Sequence, residues 1–208
     1  MVWRLLEQDE SVAERLAEEL GLPMLVAGLL ANRGVRSVSD AHLFLSPGEA
    51  PLHDPALLAD MAKAVERIIQ AIDRREQIVV YGDYDVDGLT STALASTVLR
   101  DFGGRVSTYV PDRLEEGYGL NADAVEKLAS GGAELIVTVD CGVCAREQVA
   151  RAAALGVDVI VTDHHVPQAI LPPAHAVVNP KRIDCSYPFS DLAGVGVAYK
   201  LACALARG

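Results

Sequence analysis

The sequence has few aromatic residues, few cysteines and no long apolar run, and each shortage excludes a class of protein. Aromatic residues make up 5% of the 208 residues, and four cysteines are too few for a disulfide scaffold of this length. The longest apolar stretches, such as residues 78–81 and 135–139, are far shorter than the roughly 20 residues of a membrane helix. The first residues lack the order of a secretory signal. We therefore expect a soluble protein of the reducing cytoplasm.

Basic residues are also scarce. The chain has 18 Lys and Arg against 29 Asp and Glu, a formal net charge of −11. Because phosphates are bound mainly by Lys and Arg, this excess of acidic residues argues against binding of nucleic acid over an extended surface of this chain alone. Hydrophobic residues make up 50% of the sequence, which is enough for a sizeable core and excludes disorder for most of the chain.

Two regions of the chain differ in their hydrophobic pattern. Residues 1–75 are predicted to be helical, with Ser11 capping a helix that runs to Leu20 and apolar residues at helical spacing between positions 58 and 72. From residue 76 to 208, short apolar runs alternate with helical segments. Strands are predicted at 78–81, 106–110, 135–139, 157–162 and 176–178, and helices at 89–102, 122–130, 145–155 and 197–206. This alternation predicts an α/β fold with a parallel β-sheet flanked by helices.

Three of the predicted strands end in residues of the metal-ligand type. The first leads into GDYDVDG at residues 82–88, which contains Asp83, Asp85 and Asp87, the third ends on Asp140, and the fourth ends on Asp-His-His at residues 163–165. Because the carboxyl ends of parallel strands lie at one edge of a sheet, these groups are predicted to converge. Clustered carboxylates repel one another unless a cation neutralises them. Carboxylates with imidazole suit Mn²⁺, Mg²⁺ or Zn²⁺, and a bridging carboxylate allows the two-ion arrangement that hydrolyses phosphate esters.

Single parts of this pattern are also compatible with simpler roles. Asp85, Asp87 and Asp140 could each cap the helix that follows, and His164 could be structural. An EF-hand calcium loop is excluded because Leu94 stands where that loop requires Glu. Cys141 and Cys144 form a CxxC, so a thiol-disulfide oxidoreductase is the alternative from a different class. A zinc site that adds Cys185 to these two lacks a further pair of ligands.

The ordered set of motifs resembles the DHH phosphoesterase superfamily, and within it the bacterial single-strand-specific exonucleases. The resemblance covers roughly residues 40–208 and includes VPDR at 110–113, EGYGL at 116–120, VNP at 178–180 and LAGVGVA at 192–198. It implies hydrolysis of single-stranded DNA from the 5′ end with Mn²⁺ or Mg²⁺, in DNA repair and recombination. Small-substrate members, which act on small nucleotides or oligoribonucleotides, have His four positions before Asp85, where this chain has Tyr81. That departure favours the exonuclease branch.

The resemblance also implies a role for individual residues. It makes Asp85, Asp87, Asp140 and His164 metal ligands, with Asp140 as the bridge and Asp83 as a further candidate, and it places His165 against the scissile phosphate. We also expect phosphate contacts from Arg113 and from the helix start at Gly194 and Gly196, because a helix N-terminus offers free N–H groups.

The resemblance also implies parts of the family's proteins that the motifs of this chain do not include. A further aspartate completes its two-metal site, and a second catalytic domain and a nucleic-acid-binding barrel come later. The resemblance therefore implies that residues 76–208 are an incomplete DHH domain, that one metal ligand is missing, and that the absent domains supply the basic residues that grip single-stranded DNA. The oligomeric state is left open.

Overall fold

The structure, a computed structural model, describes residues 9–46, 48 and 52–207. The chain divides into two compact units between residues 52 and 53. No helix within these described ranges is long and apolar enough to cross a membrane.

The N-terminal unit contains three helices, α1 (Glu10–Leu20), α2 (Met24–Asn32) and α3 (Val38–Leu45). They enclose a small core of their own around Leu16 and Ala27. Helix α1 begins at the cap residue Asp9, whose side chain accepts the Val12 N–H. Ser11, the predicted cap, instead donates its hydroxyl to Asp9. Both residue types cap helices well, so the sequence alone left the choice between them open.

The second unit contains the sheet and its helices. After a short 3-10 turn (Pro55–Leu57), its elements are α4 (Met61–Asp73), β1 (Gln77–Tyr81), α5 (Val86–Asp101), β2 (Arg105–Tyr109), α6 (Ala122–Ser130), β3 (Leu135–Val139), α7 (Arg146–Ala154), β4 (Asp158–Thr162), β5 (Ala176–Val178) and α8 (Gly194–Leu205). Helix α4 packs in the core beneath the sheet, so the division at residue 52 falls earlier than the boundary expected near residue 75. The apolar stripe of α4 predicts that one face of this helix is buried, but the sequence does not show which element covers that face.

All five strands are parallel and lie in the order β2-β1-β3-β4-β5. The predicted parallel α/β fold is confirmed. Helices flanking a parallel sheet should bury its strands on both faces, but the residues of β2 are exposed or half-buried. Strand β2 lies at the edge of the sheet and is covered less than the central strands, of which β3 is buried throughout.

Successive residues of each central strand enter opposite cores. Ile78 and Val80 of β1 pack with α4, α5 and α8 on one face, whereas Val79 and Tyr81 pack with α6 and α7 on the other. This two-residue alternation is the ordinary geometry of a strand. The two buried faces hold the strands rigidly, and so they fix the positions of the loops that follow β1, β3 and β4.

Candidate metal centre

The motifs after β1 and β3 lie on either side of the point where the strand order reverses. The chain leaves β1 for β2 on one side and then returns to β3 on the other side of β1. Connections diverge there, which opens a crevice at the carboxyl ends of the strands. The GDYDVDG loop, Asp140 and the Asp-His-His segment after β4 all occupy this edge.

The GDYDVDG segment is a sharp entry into α5. Asp85 is the N-cap of α5, with its side chain accepting the Gly88 N–H at 2.9 Å, and Asp87 lies in the first turn. The helix therefore begins at Val86, earlier than the predicted residue 89. Gly88 is required because a Cβ there would lie 2.5 Å from the carbonyl oxygen of Asp83. The close approach brings the carboxylates of Asp83 and Asp85 within 4.8 Å of each other.

Asp140 sits on a turn rather than at a helix cap. Its φ of 61° lies in the left-handed region, and its N–H donates to the Thr162 carbonyl. A left-handed conformation costs energy in a residue with a side chain, although Asp tolerates it better than most. Next to it, Thr138 donates its hydroxyl to the Cys141 carbonyl, which fixes the turn. The side chain of Asp140, which is 2% exposed, is therefore held at the crevice floor.

Asp140 belongs to two groups of possible ligands. In one, ligand atoms of Asp83, Asp85 and Asp140 lie within 4.8 Å of one another; in the other, those of Asp140, His164 and His165 do. The His164 Nε2 is 3.1 Å from Asp140 Oδ1 and 3.6 Å from Asp87 Oδ2. The structure thus brings the six predicted acids and histidines to one place, with Asp140 in the middle.

Two carboxylate oxygens of this cluster are buried without a donor. Asp83 Oδ1 and Asp140 Oδ1 accept no hydrogen bond from the residues that the structure describes, although the His164 Nε2 lies 3.1 Å from Asp140 Oδ1. Leaving a buried acceptor without a donor is costly, so such oxygens are normally satisfied by a hydrogen bond or a cation. Hard oxygen ligands together with imidazole suit Mn²⁺ or Mg²⁺. The donor set therefore fits a divalent cation.

Crowding in the cluster also shifts the pKa of two of its carboxyl groups. Burial, together with the negative charges of Asp87 and Asp85, raises the pKa of Asp140 to about 7. Burial likewise raises the pKa of Asp83. Both shifts have the sign expected where carboxylates crowd together away from water. A bound cation would reverse them, because it favours the charged form.

Asp163 belongs to the Asp-His-His segment predicted to converge on the site, without a predicted role of its own, and the structure gives it one. It is 1% exposed and accepts four hydrogen bonds, from the N–H groups of Val143, His164 and His165 and from His165 Nδ1 at 2.7 Å. Burial opposes its ionisation, but the His165 and backbone hydrogen bonds outweigh that effect and lower the pKa of Asp163. In return, the hydrogen bond to Asp163 raises the pKa of His165. Its position directly after a buried strand was the available sequence signal.

Two further residues hold the imidazole of His165 or its backbone. The hydroxyl of Tyr118 lies 3.2 Å from His165 Nδ1, and Asn179 donates to the His165 carbonyl. A cleft of about 510 Å³ opens beside them, lined by Tyr118, Val143 and Cys144 among others. Tyr118 and Asn179 stand in motifs that support the family resemblance, but no pattern in the sequence singles out either residue.

The residues predicted to contact phosphate are placed differently. The guanidinium of Arg113 lies 5.3 Å from the centre of the Tyr84 ring, in a cation–π arrangement. The N–H of Gly194 donates to Asp87 Oδ2 at 2.7 Å, so it faces an internal carboxylate. At Gly196 the three atoms nearest to an added Cβ all belong to the Leu192 side chain, the first at 3.2 Å.

The cysteines do not form a redox pair. Cys141 is fully buried, and burial raises the pKa of its thiol, whereas a reactive cysteine needs a lowered pKa and access. Within the described part of the chain all four cysteines are free thiols. The oxidoreductase alternative is therefore not favoured.

Comparison with known proteins places the chain among known sequences and structures. The family model for the DHH family, N-terminal domain, matches residues 77–208. The chain is 45% identical over 205 residues to the single-stranded-DNA-specific exonuclease RecJ of Bacillus subtilis (strain 168), covering 99% of this chain and 26% of that protein. The chain thus spans about a quarter of the length of this relative.

Two solved structures resemble the fold. A crystal structure of RecJ in complex with Mn²⁺ from Thermus thermophilus superposes with a TM-score of 0.72 and 29% identity, over 95% of this chain and 27% of that chain. A crystal structure of exonuclease RecJ bound to manganese gives a TM-score of 0.66 and 37% identity, over 76% of this chain and 40% of that chain. From its motifs, its fold and the family model that matches most of its length, the chain belongs to the DHH family.

Proposed function

We propose that this chain provides a metal-binding half-site for phosphodiester hydrolysis, and that the whole protein is a 5′-to-3′ exonuclease on single-stranded DNA in DNA repair and recombination. The relative from Bacillus subtilis is named a single-stranded-DNA-specific exonuclease, and the two similar solved structures both contain bound manganese. Because the chain covers a quarter of that relative, we propose the single-stranded DNA substrate and the 5′ polarity for the whole protein and not for this chain by itself.

The observation that carries the proposal is the orphaned carboxylate oxygen of Asp140. This oxygen is buried, accepts no hydrogen bond from the described residues and lies among four other ligand-type side chains. A structural carboxylate accepts a backbone N–H, as Asp163 does from Val143, whereas the His164 Nε2 that lies 3.1 Å from Asp140 Oδ1 is itself a ligand-type nitrogen. Asp140 would accordingly hold metal together with both groups of ligands, Asp83 and Asp85 on one side and His164 on the other.

The residues of the chain have separate tasks in this mechanism. Asp83, Asp85, Asp87, Asp140 and His164 would hold the metal, which would activate water and stabilise charge on the phosphoryl oxygens. Asp163 fixes the ring of His165 and favours its protonated form, because it accepts from Nδ1. A protonated imidazole at the mouth of the crevice attracts a phosphate anion and can donate a hydrogen bond to it.

The first test is Mn²⁺ binding measured by calorimetry on this chain. We expect binding to the wild type, its loss in Asp140→Ala, and unchanged binding in Asp101→Ala, a matched variant at an exposed acid on the distant end of α5. Equal affinity in the wild type and Asp140→Ala would contradict the proposed site. Absence of binding in the wild type would contradict it too.

The second test concerns the reaction. We expect the whole protein to shorten a single-stranded oligonucleotide from its 5′ end only when Mn²⁺ or Mg²⁺ is present, and to leave a duplex of the same sequence intact. Asp140→Ala should abolish this loss, whereas Asp101→Ala should not. Turnover of dinucleotides or pyrophosphate with no shortening of the oligonucleotide would instead support the small-substrate branch of the family.

A further inference from the structure

We infer that Gly194, the first residue of α8, is a positioning residue that sets the separation of Asp87 and Asp140 around His164. The inference rests on the proposed metal site, and it differs from the phosphate contact expected for this glycine from the sequence. In this role the start of α8 contacts two carboxylates of the site and fixes their positions relative to each other.

The first observation is how α8 is capped. Ala193, its N-cap, has no side-chain acceptor to offer the first N–H groups of the helix. Asp87, which lies in the first turn of α5, supplies the acceptors instead. Its Oδ2 accepts the Gly194 N–H at 2.7 Å, and its Oδ1 accepts the Val195 N–H at 2.8 Å. Both oxygens are thereby fixed, and the helix N-terminus adds its partial positive charge beside them.

The second observation is steric. A Cβ built on Gly194 would lie 2.5 Å from Asp140 Oδ1 and 2.7 Å from both Asp140 Cβ and Cγ. The backbone of α8 therefore rests directly against the side chain of Asp140. Asp140 has little freedom to yield, because its left-handed backbone is tied to Thr162. A larger residue at 194 would force either the carboxylate or the helix to move.

Together these contacts place His164 between two fixed carboxylates. Its Nε2 lies 3.1 Å from Asp140 Oδ1 and 3.6 Å from Asp87 Oδ2. Gly194 touches the first carboxylate sterically and binds the second through its N–H. Metal sites depend strongly on such supporting contacts, which orient the ligands without contacting the ion. A shift of either carboxylate should therefore weaken metal binding more than it weakens the fold.

The test compares Gly194→Ala with Gly196→Ala. Both glycines lie in the first turn of α8 and both substitutions raise helix propensity, but the three atoms nearest to a Cβ at 196 all belong to the Leu192 side chain, at 3.2 Å or more. Mn²⁺ titration followed by electron paramagnetic resonance gives the affinity from the free ion and the coordination symmetry from the bound ion. We expect at least a tenfold weaker affinity and an altered bound-ion spectrum in Gly194→Ala, and a change of less than twofold in Gly196→Ala. Circular dichroism establishes that each variant is folded.

Each contrary outcome overturns the inference in a recognisable way. Unchanged affinity in Gly194→Ala would refute the positioning role and leave the proposed metal site intact. Equal weakening in both variants would assign the effect to a general disturbance of α8. No Mn²⁺ binding by the wild type would refute the proposed metal site and this inference with it.

A second measurement needs no variant at all. The first N–H groups of a helix normally exchange quickly with solvent, because they have no intrahelical acceptor. In the metal-free wild type we expect slow exchange at Gly194 and Val195, since Asp87 accepts from both. Fast exchange at both amides would refute the contact on which the inference rests, even if Gly194→Ala fails to fold.

Discussion

Metal-free protein should become less stable as the pH rises from 4 to 7, and Asp140 should be the main cause. The pKa of Asp140 is raised from its ordinary value of 3.8 to about 7. Between these two values the folded state keeps a proton that the unfolded state releases, so the free energy of unfolding falls as the pH rises. The full shift corresponds to about 4 kcal/mol, at about 1.4 kcal/mol per pKa unit.

The perturbation that isolates this effect is Asp140→Asn. Asparagine is neutral throughout the range, so the variant should lose the contribution of Asp140 and gain stability relative to the wild type as the pH rises. His165 does not obscure the comparison. Its raised pKa adds stability at low pH that is lost as the pH rises, but the main cause of that shift, Asp163, is present in both proteins.

The assay is urea denaturation with a chelator present, at intervals from pH 5 to pH 8. Between pH 5 and pH 8 the free energy of unfolding of the wild type should fall relative to that of Asp140→Asn by about 3 kcal/mol, because part of the shift lies below pH 5. Adding Mn²⁺ at pH 8 should then stabilise the wild type and leave the variant unchanged. Parallel pH profiles for the two proteins would refute the assignment of charge crowding to Asp140.

Two further predictions concern the supports of the site. Asp163→Asn replaces an acceptor by an amide N–H that faces the donors of the turn, so it should cost about 3 kcal/mol in urea denaturation. It should also return the pKa of His165 toward its ordinary value in an NMR titration, and an unshifted titration would contradict the role of Asp163. Tyr81→Phe removes a buried hydroxyl that donates to the Gly119 carbonyl and accepts from Asn121, so it should cost about 1–2 kcal/mol with Mn²⁺ affinity unchanged. A large loss of affinity would show that the hydroxyl also serves the metal site.

Much of the fold followed from local pattern in the sequence. Apolar runs of strand length, separated by segments with helical spacing, determined a parallel sheet, because parallel neighbours need a crossover between them. The same argument placed Asp85, Asp140 and His164 at one edge of that sheet. It required only the rule that parallel strands share the direction of their carboxyl ends.

The tertiary structure decided how those side chains are held. The left-handed backbone of Asp140, the burial of Asp163 beneath His165 and the capping of α8 by Asp87 all depend on how the chain packs around the crevice. A residue type shows which bonds a side chain can form, but packing decides which of them it does form. Asp85 and Asp87 show this best: both are helix-capping residues by type, and the fold assigns one to its own helix and the other to α8.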